Sequence, residues 1–363
     1  MSSSYGKNIR VTIFGQSHSP AIGVTIDGLP AGFTIDQAGL RAFLLRRAPG
    51  RGEHTTSRRE PDEPEFISGL VGETTCGSPV TAIIRNTDAR PSDYDTIADI
   101  PRPSHADYSA YMKYGESRDA RGGGAFSGRM TAPLCVAGGI CLQLLKNDGL
   151  RIAAHILQIG GVRDRLFDRD DFSEKDLDAL AEAEFPVLDA DAGIRMLSAI
   201  KEARRAGDSL GGIVECVATG VPAGIGDPPF DGMENRLASI IFGIPAVKGV
   251  EFGNGFAAAG LRGSENNDAF VIRDGAVRTR TNRHGGILGG VSSGMPLMIR
   301  AAFKPTPSIS IEQDSVSLSR MEEARLTIPG RHDPCVVPRA VPCVEAAAAI
   351  AICDALTEHK SHV

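Results

Sequence analysis

The sequence predicts an α+β protein in which 363 residues form one large domain, a sandwich of strands around helices. Segments rich in β-branched residues are irregularly spaced, and their alternation with helices is incomplete, which disfavours a doubly wound parallel sheet. No linker rich in serine, proline or charge divides the chain. Glycine contributes 42 residues without a period of three, which excludes a collagen-like fibre. We therefore treat residues 1–363 as a single domain.

The strands and helices can be placed by pattern. Runs of β-branched and apolar residues predict strands at Arg10–Phe14, Gly23–Ile26, Val80–Arg85, Ile152–Ile159, Gly212–Ala218 and Leu297–Phe303. A capping-box pattern at Thr34–Gln37 predicts a first helix that ends at Ala48-Pro49-Gly50. Apolar residues at helical spacing predict four more helices, at Leu134–Lys146, Ser173–Glu184, Ala192–Arg205 and Val344–Leu356. The acidic stretch 164–191 is typical of a solvated, helical surface insertion.

Composition excludes several classes of function. The formal net charge is −6, tryptophan is absent and aromatic residues make up 5%, so neither a nucleic-acid platform nor an anionic membrane is an expected partner. The N-terminal residues contain no apolar signal region, and no apolar run approaches the ~18 residues of a membrane span. Seven scattered cysteines form no C-x-x-C pair, which is typical of reduced, buried thiols. We expect a soluble, cytoplasmic protein without a metal site.

Arginines concentrate next to glycines in two places. Six arginines lie between residues 41 and 59 against one acid, Glu53, and a second basic cluster spans residues 102–129. They adjoin the glycines of Pro49-Gly50-Arg51-Gly52 and Arg121-Gly122-Gly123-Gly124. Guanidinium forks bind carboxylates and phosphates, and glycine lets backbone N–H groups approach an anion. The pattern predicts a small polyanionic ligand, although any single arginine could simply be a solvated surface group.

Three loop-like segments supply candidate acids and bases. His18 follows a predicted strand, His105 lies in Arg102-Pro103-Ser104-His105-Ala106-Asp107, and His332 precedes Asp333. A hydrolase would need a nucleophile elbow, and Gly15-x-Ser17-x-Ser19 lacks its second glycine. A metal enzyme could use His18, His105 and Asp333, but no short-range ligand pair supports it. A lyase acting on a phosphorylated carboxylic acid would use the arginine clusters and the proton donors together.

Nine ordered sequence blocks resemble the chorismate synthase family and extend from about residue 7 to 355. They are Phe14-Gly15-Gln16-Ser17-His18, Arg46-Arg47-Ala48-Pro49-Gly50, Thr55-Thr56-Ser57-Arg58-Arg59-Glu60-Pro61-Asp62, Arg102-Pro103-Ser104-His105-Ala106-Asp107, Arg121-Gly122-Gly123-Gly124, Pro245-Ala246-Val247-Lys248-Gly249-Val250-Glu251, Gly285-Gly286-Ile287-Leu288-Gly289-Gly290, Lys304-Pro305-Thr306 and Gly330-Arg331-His332-Asp333-Pro334-Cys335. So many blocks in one order make coincidence an implausible explanation.

The resemblance implies an activity and an assembly. The activity is the 1,4-elimination of phosphate and a C6 proton from 5-enolpyruvylshikimate 3-phosphate, which gives chorismate, the last common step of the shikimate pathway. It requires reduced FMN although the reaction has no net redox change. The resemblance also implies a β-α-β sandwich with antiparallel sheets around helices and a homotetramer. No second nucleotide-binding domain is visible, so we expect an external source of reduced FMN rather than an intrinsic NAD(P)H reductase.

The resemblance also implies roles for individual residues. His18 is expected near the leaving phosphate as a general acid, His105 is expected to protonate or hold the reduced flavin, and Asp333 is expected to help remove the C6 proton. The residues expected to bind the substrate's anionic groups are Ser17, Arg47, Arg102, Arg129 and Arg331. Those expected to contact flavin are Ser127, Ala246, Gly289, Lys304, Pro305, Thr306, Pro307, Ser308 and again Arg331.

The sequence departs from the family pattern at several positions near these residues. The departures are Gln16, Ser19, Glu53, Ser104, Ala125, Phe126 and Pro245, and the change at Ala125-Phe126 replaces an arginine and a serine expected at flavin. None removes a proposed acid or base. The alternative from another class is a catalytically degenerate polyanion- and flavin-binding protein of the same fold, and a metal-dependent phosphohydrolase is a third hypothesis.

Overall fold

Two five-stranded antiparallel sheets enclose a layer of helices in the computed structural model. The structure describes residues 3–50, 60, 62–86, 99–168, 173–328 and 333–362. The first sheet has the order β1-β2-β3-β7-β4 and the second β11-β16-β10-β8-β9. This is the α+β sandwich with antiparallel sheets that the sequence and its resemblance predict.

The first sheet is built near the N-terminus. Its strands are β1 Ser4–Tyr5, β2 Arg10–Gly15, β3 Ala21–Asp27, β4 Glu65–Ser68 and β7 Val80–Arg85, and the short strands β5 Leu70–Val71 and β6 Thr74–Thr75 pair separately. In β3 the side chains of Ile22, Val24 and Ile26 are fully buried. These alternate residues form one face of the strand, which packs on the central helices.

The second sheet is buried on both faces at its centre. Its strands are β8 Arg151–Ile159, β9 Val162–Arg163, β10 Gly212–Thr219, β11 Val247–Phe252 and β16 Leu297–Phe303. In β8, Ala154 and Ile156 belong to the main core, whereas Ala153 belongs to a smaller apolar cluster on the opposite face. Burial on both faces explains why these strands read as continuous apolar runs.

The helical layer is dominated by two long helices, labelled with the others in chain order. The helices are α1 Gln37–Arg47, α2 Asp107–Tyr114, α3 Thr131–Asn147, α4 Glu174–Glu182, α5 Ala190–Arg205, α6 Met233–Phe242, α7 Gly263–Asn266 and α8 Val337–His362. Helix α3 packs on the first sheet and α8 on the second, and the two pack on each other. A Cβ on Gly138 would lie 2.2 Å from the Ala346 Cβ, so glycine permits this close approach.

Both long helices are apolar enough and long enough to pass a membrane-span test by composition. The windows Gly128–Asn147 and Val337–Lys360 have mean hydropathies of 1.3 and 1.6, but 72% and 94% of their residues are buried inside the fold. Packing against the two sheets therefore accounts for their apolar composition.

The remaining strands form small antiparallel hairpins. They are β12 Phe270–Arg273 with β13 Ala276–Thr279, β14 Ile287–Leu288 with β15 Val291–Ser292, and β17 Gln313–Ser317 with β18 Glu322–Leu326. The glycine-rich segment containing β14 packs backbone against backbone, because a Cβ on Gly285 would lie 2.3 Å from the Gly253 nitrogen. Close packing thus explains this part of the glycine cluster.

Two predicted helix starts are wrong. Asp36, not Thr34, caps α1 by accepting a hydrogen bond from the Gly39 N–H at 3.0 Å, while the Thr34 hydroxyl bonds that of Thr74 at 2.9 Å. The last helix begins at Val337, seven residues before the predicted start, and contains Pro342 in its second turn. Proline lacks an N–H and usually marks a helix boundary, so Pro342 places the predicted start of this helix too late in the chain.

The acidic segment 164–191 is more deeply integrated than a solvated insertion. Asp164 is buried and accepts hydrogen bonds from the backbone N–H groups of Leu188 and Asp189 at 2.6 and 3.0 Å. Leu177 and Leu180 of α4 pack on the outer face of the second sheet. The solvated-surface interpretation therefore applies to the outward side of α4 and not to the whole segment.

Candidate functional site

A cavity of 550 Å³ opens where the helical layer meets the end of the second sheet, at Val247 of β11 and Phe303 of β16. Its described walls come from the end of α1, the loop at 102–106, the turns at 122–131, the loop after α6, the segment after β16 and the start of α8. Ligand cavities typically measure roughly 300–1,000 Å³. Segments more than 280 residues apart in sequence converge here, so the cavity exists only in the assembled fold.

A buried carboxylate joins two of the expected substrate-binding arginines. Asp62, 1% exposed, forms ion pairs with both Arg47 and Arg129. Arg47 Nε also donates to the Thr131 hydroxyl at 3.1 Å, and Arg129 pairs with Glu60 at 3.1 Å. Burial alone would raise the pKa of Asp62, but the two guanidinium groups outweigh it and hold that pKa below its usual value. Both arginines are therefore fixed and charged at the cavity wall.

Arg102 is fixed by a second buried carboxylate. Its Nε and NH2 atoms donate to Asp107 at 2.7 and 2.8 Å, and NH1 donates to the Ser308 hydroxyl at 3.1 Å. Burial would raise the pKa of Asp107, but hydrogen bonds from Arg102 and His105 hold it well below its usual value. The two hydrogen bonds to Asp107 fix the orientation of the Arg102 guanidinium, and the positive charge of this group remains at the cavity.

His105 shares the same carboxylate. Its Nδ1 lies 2.6 Å from Asp107 Oδ1, a contact that requires Nδ1 to carry the proton because an ionised carboxylate only accepts. Burial lowers the pKa of His105 despite the hydrogen bond to Asp107. A neutral imidazole protonated on Nδ1 presents Nε2 as a proton acceptor. A Cβ on Gly123, next to the cavity-lining Gly122, would lie 3.1 Å from that Nε2.

Gly122 of the glycine turn at 122–124 lines the cavity and contacts His18 and Ser17, neither of which belongs to the described lining. All three glycines have positive φ, and a Cβ on Gly122 would lie 2.2 Å from His18 Cε1. The Ser17 hydroxyl donates to the Arg121 carbonyl at 3.0 Å and lies 2.9 Å from His18 Nδ1. Since the single Ser17 hydrogen is engaged, Nδ1–H of His18 donates to Ser17 Oγ.

Asp333 also lines the cavity and is the first residue of the last segment that the structure describes. It forms an ion pair with Arg339 of α8, whose Nε donates to the Arg47 carbonyl at 2.9 Å. Arg339 thereby connects Asp333 to the end of α1. Asp333, the expected proton acceptor, thus shares this cavity with His105 and the arginines.

Most of the expected flavin contacts also lie in this cavity. Ser127, Ala246, Lys304, Thr306, Pro307 and Ser308 line it. Gly289 and Pro305 are absent from its described lining; Gly289 lies in the β14–β15 hairpin and a Cβ there would meet nothing within 4 Å. Arg331 lies outside the described residues.

Two buried polar groups in the lining have no hydrogen-bond partner among the described residues. They are Arg129 NH2 and the Thr306 hydroxyl. An unsatisfied buried polar group costs about 1–3 kcal/mol, so a ligand that accepts from these donors is favoured. Lys304 adds a positive charge, although burial and the nearby Lys248 and Arg102 lower its pKa. This donor set fits a phosphorylated, oxygen-rich cofactor such as FMN.

The described lining carries an excess of positive charge. Five cationic side chains line it, against two carboxylates, Glu60 and Asp333. The cations are Arg47, Arg102, Arg129, Lys304 and Arg339. An excess of cations in a partly enclosed site favours a polyanion.

The structure separates the arginines that line the cavity from those that form ion pairs elsewhere. Arg46 forms a buried, bidentate ion pair with Glu345 at 2.6 and 3.0 Å, and Arg121 pairs with Asp119 at 2.8 Å. Arg41 is exposed and pairs with Glu63. Arg51, Arg58 and Arg59, together with Glu53 and His332, lie outside the described residues. Of the six arginines between residues 41 and 59, Arg47 is the described one that lines the cavity.

Sequence reasoning assigned no role to the residues that hold these groups in place. Asp62 and Asp107 both lie inside the motifs that resemble the family, and their spacing from arginine and histidine is the available signal of this positioning role. Arg339 and Cys343 had no such signal. Both lie before Val344, where the last helix is predicted to begin, although the helix in the structure includes them.

The backbone explains one departure from the family pattern. Ser104, which stands where the family pattern has glycine, adopts φ 60° in the left-handed region that glycine enters without strain. Ala125 and Phe126 line both the main cavity and an adjacent one of 140 Å³, to which Gln16 and Tyr114 also contribute. These substitutions therefore lie in the wall shared by two cavities and do not replace an expected acid or base.

Comparison with known proteins identifies relatives over nearly the whole chain. The family model described as chorismate synthase matches residues 9–357. A chorismate synthase from Lancefieldella parvula is 48% identical, with 98% of this chain and 96% of that protein covered. One from Thermococcus gammatolerans is 47% identical, with 98% of each covered. A crystal structure of chorismate synthase is similar with a TM-score of 0.77 at 28% identity, covering 98% of this chain and 93% of the other.

Proposed function

The chain belongs to the chorismate synthase family, and on that basis we propose that it converts 5-enolpyruvylshikimate 3-phosphate into chorismate and inorganic phosphate with the help of reduced FMN. Membership of this family assigns it to the lyases of aromatic amino-acid biosynthesis. The observation that carries the proposal is the cavity in which fixed arginines, His105 and Asp333 are brought together.

The arginines supply the binding step. The proposed substrate carries two carboxylates and a phosphate, and Arg47, Arg102 and Arg129 are charged and fixed by carboxylates buried behind them. Fixed donors lose little conformational entropy when an anion binds, and a partly enclosed cavity strengthens the attraction. Ser17, beside His18, belongs to the same proposed anion site.

His18 is the proposed general acid for the leaving phosphate. Because Ser17 Oγ accepts from Nδ1, Nε2 is the nitrogen from which a protonated His18 would pass a proton to the phosphate oxygen. The ring packs against the cavity-lining Gly122, where any side chain would collide with it. Protonation of the phosphate favours cleavage of the C3–O bond.

Asp333 is the proposed acceptor of the C6 proton, and His105 holds a proton at the cofactor. The ion pair with Arg339 fixes the Asp333 carboxylate at the cavity. His105, neutral and protonated on Nδ1, offers Nε2 to accept a proton and return it. One proton leaves C6 while phosphate leaves C3, so the overall elimination balances without an added oxidant or reductant.

Reduced FMN, when bound, supplies an electron-rich ring that lends electron density transiently to the substrate. The residues that would hold it are Ser127, Ala246, Lys304, Thr306, Pro307 and Ser308, and the buried Thr306 hydroxyl is a donor awaiting an acceptor. Arg331, Gly289 and Pro305 remain proposed contacts from the resemblance.

We further propose a cytoplasmic homotetramer that takes reduced FMN from an external reductant, such as an NADPH-dependent flavin reductase. These statements rest on the family relationship. They require neither a nucleic acid nor a membrane as partner.

The test is an anaerobic assay with chemically reduced FMN and the phosphorylated substrate. We expect chorismate to form, and to form equally in the presence of EDTA, whereas a metal-dependent phosphohydrolase would release phosphate alone and lose activity. The substitutions at Ala125 and Phe126 favour one alternative, a degenerate binding protein of the same fold. That alternative predicts thermal stabilisation by the substrate without any chorismate.

A further inference from the structure

Two cysteines meet across the central helix pair directly below the cavity. Cys135 of α3 and Cys343 of α8 lie three residues before Gly138 and Ala346, the point of closest approach. The Cys135 thiol donates to Cys343 Sγ at an Sγ–Sγ distance of 3.8 Å. Because a disulfide needs about 2.05 Å between sulfurs, a small side-chain movement would join them.

Cys343 is the member of this pair that lines the cavity. It shares the lining with Arg47 and Arg339, whereas Cys135 is fully buried behind it. A small reagent that enters the cavity therefore meets Cys343 first. The proposed reaction of the site gives this thiol no role.

The Cys343 thiol donates to the Arg339 carbonyl at 3.3 Å, but the balance of its other neighbours favours the thiolate. The hydrogen bond from Cys135 and the nearby Arg47 guanidinium lower the pKa of Cys343 more than burial raises it. Burial and the same contact raise the pKa of Cys135 well above its usual value. A thiolate next to a cation is the reactive form of cysteine, and a neighbouring thiol can resolve its oxidised product.

We propose that Cys343 is a site of oxidation by hydrogen peroxide that enters the cavity, and that Cys135 resolves the product as a disulfide. The Cys343 thiolate attacks a peroxide oxygen, so an S–O bond forms, the O–O bond breaks and, with one proton, water leaves. The Cys135 sulfur then attacks the sulfenic sulfur, the S–S bond forms and a second water leaves. Hydrogen peroxide is the oxidant, and the two thiols lose two electrons.

A second cysteine pair in the same helix interface provides an internal control. The Cys353 thiol donates to the Cys141 carbonyl at 3.6 Å, and neither residue belongs to the described lining of the cavity. The contact with Cys141 and burial raise the pKa of Cys353 well above its usual value. This pair is in contact, but it lies away from the described lining, and the raised pKa of Cys353 disfavours its thiolate.

The experiment uses the full-length chain with Cys141→Ala and Cys353→Ala. These changes are needed because trypsin places Cys135 and Cys141 in one peptide, Met130–Lys146, and Cys343 and Cys353 in another, Ala340–Lys360. The protein is treated with hydrogen peroxide, blocked with N-ethylmaleimide and digested without reduction. We expect the two peptides to be joined, and dithiothreitol to separate them.

Adding Cys135→Ala should abolish the link and leave Cys343 as a sulfenic acid that dimedone traps. The wild-type chain, sequenced by fragmentation, should carry the link at Cys135–Cys343 at least about tenfold more often than at Cys141–Cys353. The exposed Cys76 reports that the oxidant has acted. An unmodified Cys343 alongside an oxidised Cys76, or a link confined to Cys141–Cys353, would overturn the proposal. If the variants do not fold, the wild-type fragmentation alone decides.

Discussion

Gly122 has the most direct steric effect on a proposed catalytic residue. Its φ is +59°, and an alanine Cβ there would lie 2.2 Å from the His18 ring. We predict that Gly122→Ala displaces His18 and lowers kcat about a hundredfold, the usual loss when a general acid is misplaced. Steady-state kinetics in the anaerobic assay measure the change.

Gly149 is the matched control for this substitution. Its φ is +82°, but a Cβ there would meet nothing within 4 Å. Gly149→Ala should therefore show the same backbone strain with unchanged kcat. Equal kinetics for the two variants would show that the His18 contact has no catalytic importance.

Arg47 tests the binding of the polyanion. Its guanidinium spans the Thr131 hydroxyl and Asp62 at once, which a lysine ammonium cannot do. Losing one charged hydrogen bond costs about 1.5–3 kcal/mol, so Arg47→Lys should raise KM about tenfold or more. The exposed Arg41 of the same helix provides the control, and Arg41→Lys should leave KM unchanged. An unaltered KM in Arg47→Lys would remove Arg47 from the substrate site.

At the scale of single elements, a buried histidine joins the acidic segment to the second sheet. His155 Nδ1 lies 3.3 Å from Asp164, and its Nε2 lies 3.1 Å from Glu215 of β10. Glu215 also pairs with Arg300 of β16, which in turn pairs with Glu251 of β11. With carboxylates at both ring nitrogens, His155 is fully hydrogen-bonded only as the imidazolium.

This network predicts a pH-dependent stability. Burial would lower the pKa of His155, but the hydrogen bonds that it donates to Asp164 and Glu215 outweigh burial and raise that pKa above its ordinary value. The folded state thus holds the proton more tightly than the unfolded chain. The stabilisation is complete below about pH 6.5 and is lost as pH rises through the folded-state pKa.

Urea unfolding at several pH values should show this loss. His155→Gln should lower the free energy of unfolding by about 3–5 kcal/mol below pH 6.5 and flatten its dependence on pH above that value. His359, which is near the C-terminus and only partly buried, gives the control His359→Gln, which should retain the slope. A wild-type slope that survives His155→Gln would contradict this role.

The elements that the sequence predicts well are those whose pattern matches their burial. The strands β7 and β16 have the predicted bounds, because continuous β-branched and apolar runs are typical of strands packed in a core. The edge strand β11 was missed, since Gly249 and two charged residues interrupt it and a bulge shifts its register at Val247–Gly249. Helix α6 was missed because no capping side chain marks its start.

The features of the site also differ in how well the sequence predicts them. The arginines and histidines stand in recognisable motifs, so the chemistry they offer can be inferred without coordinates. That Asp62 joins Arg47 to Arg129, and that Cys343 underlies the cavity, follows from segments brought together by packing. No local pattern encodes such contacts.

At the scale of the whole molecule, an exposed apolar hairpin is consistent with the proposed homotetramer. Phe270, Ile272 and Val277 of β12 and β13 are 69%, 72% and 59% exposed. Clustered apolar side chains on a surface typically mark an interface.

Sedimentation equilibrium should give four chain masses for the wild type and a smaller species for Ile272→Asp. Val71→Asp, an equivalent change on the separate β5–β6 hairpin, should leave the mass unchanged; a wild-type monomer at all concentrations would contradict the assembly.

The proposed lyase reaction has no net redox change, so the yield of chorismate per flavin distinguishes it from a reaction that consumes the cofactor. The folded protein is given excess 5-enolpyruvylshikimate 3-phosphate and a small amount of reduced FMN under anaerobic conditions, and chorismate and phosphate are both measured. We expect equal amounts of the two products, many per flavin, with the flavin still reduced. Phosphate without chorismate, or no product from well-folded protein, would contradict it.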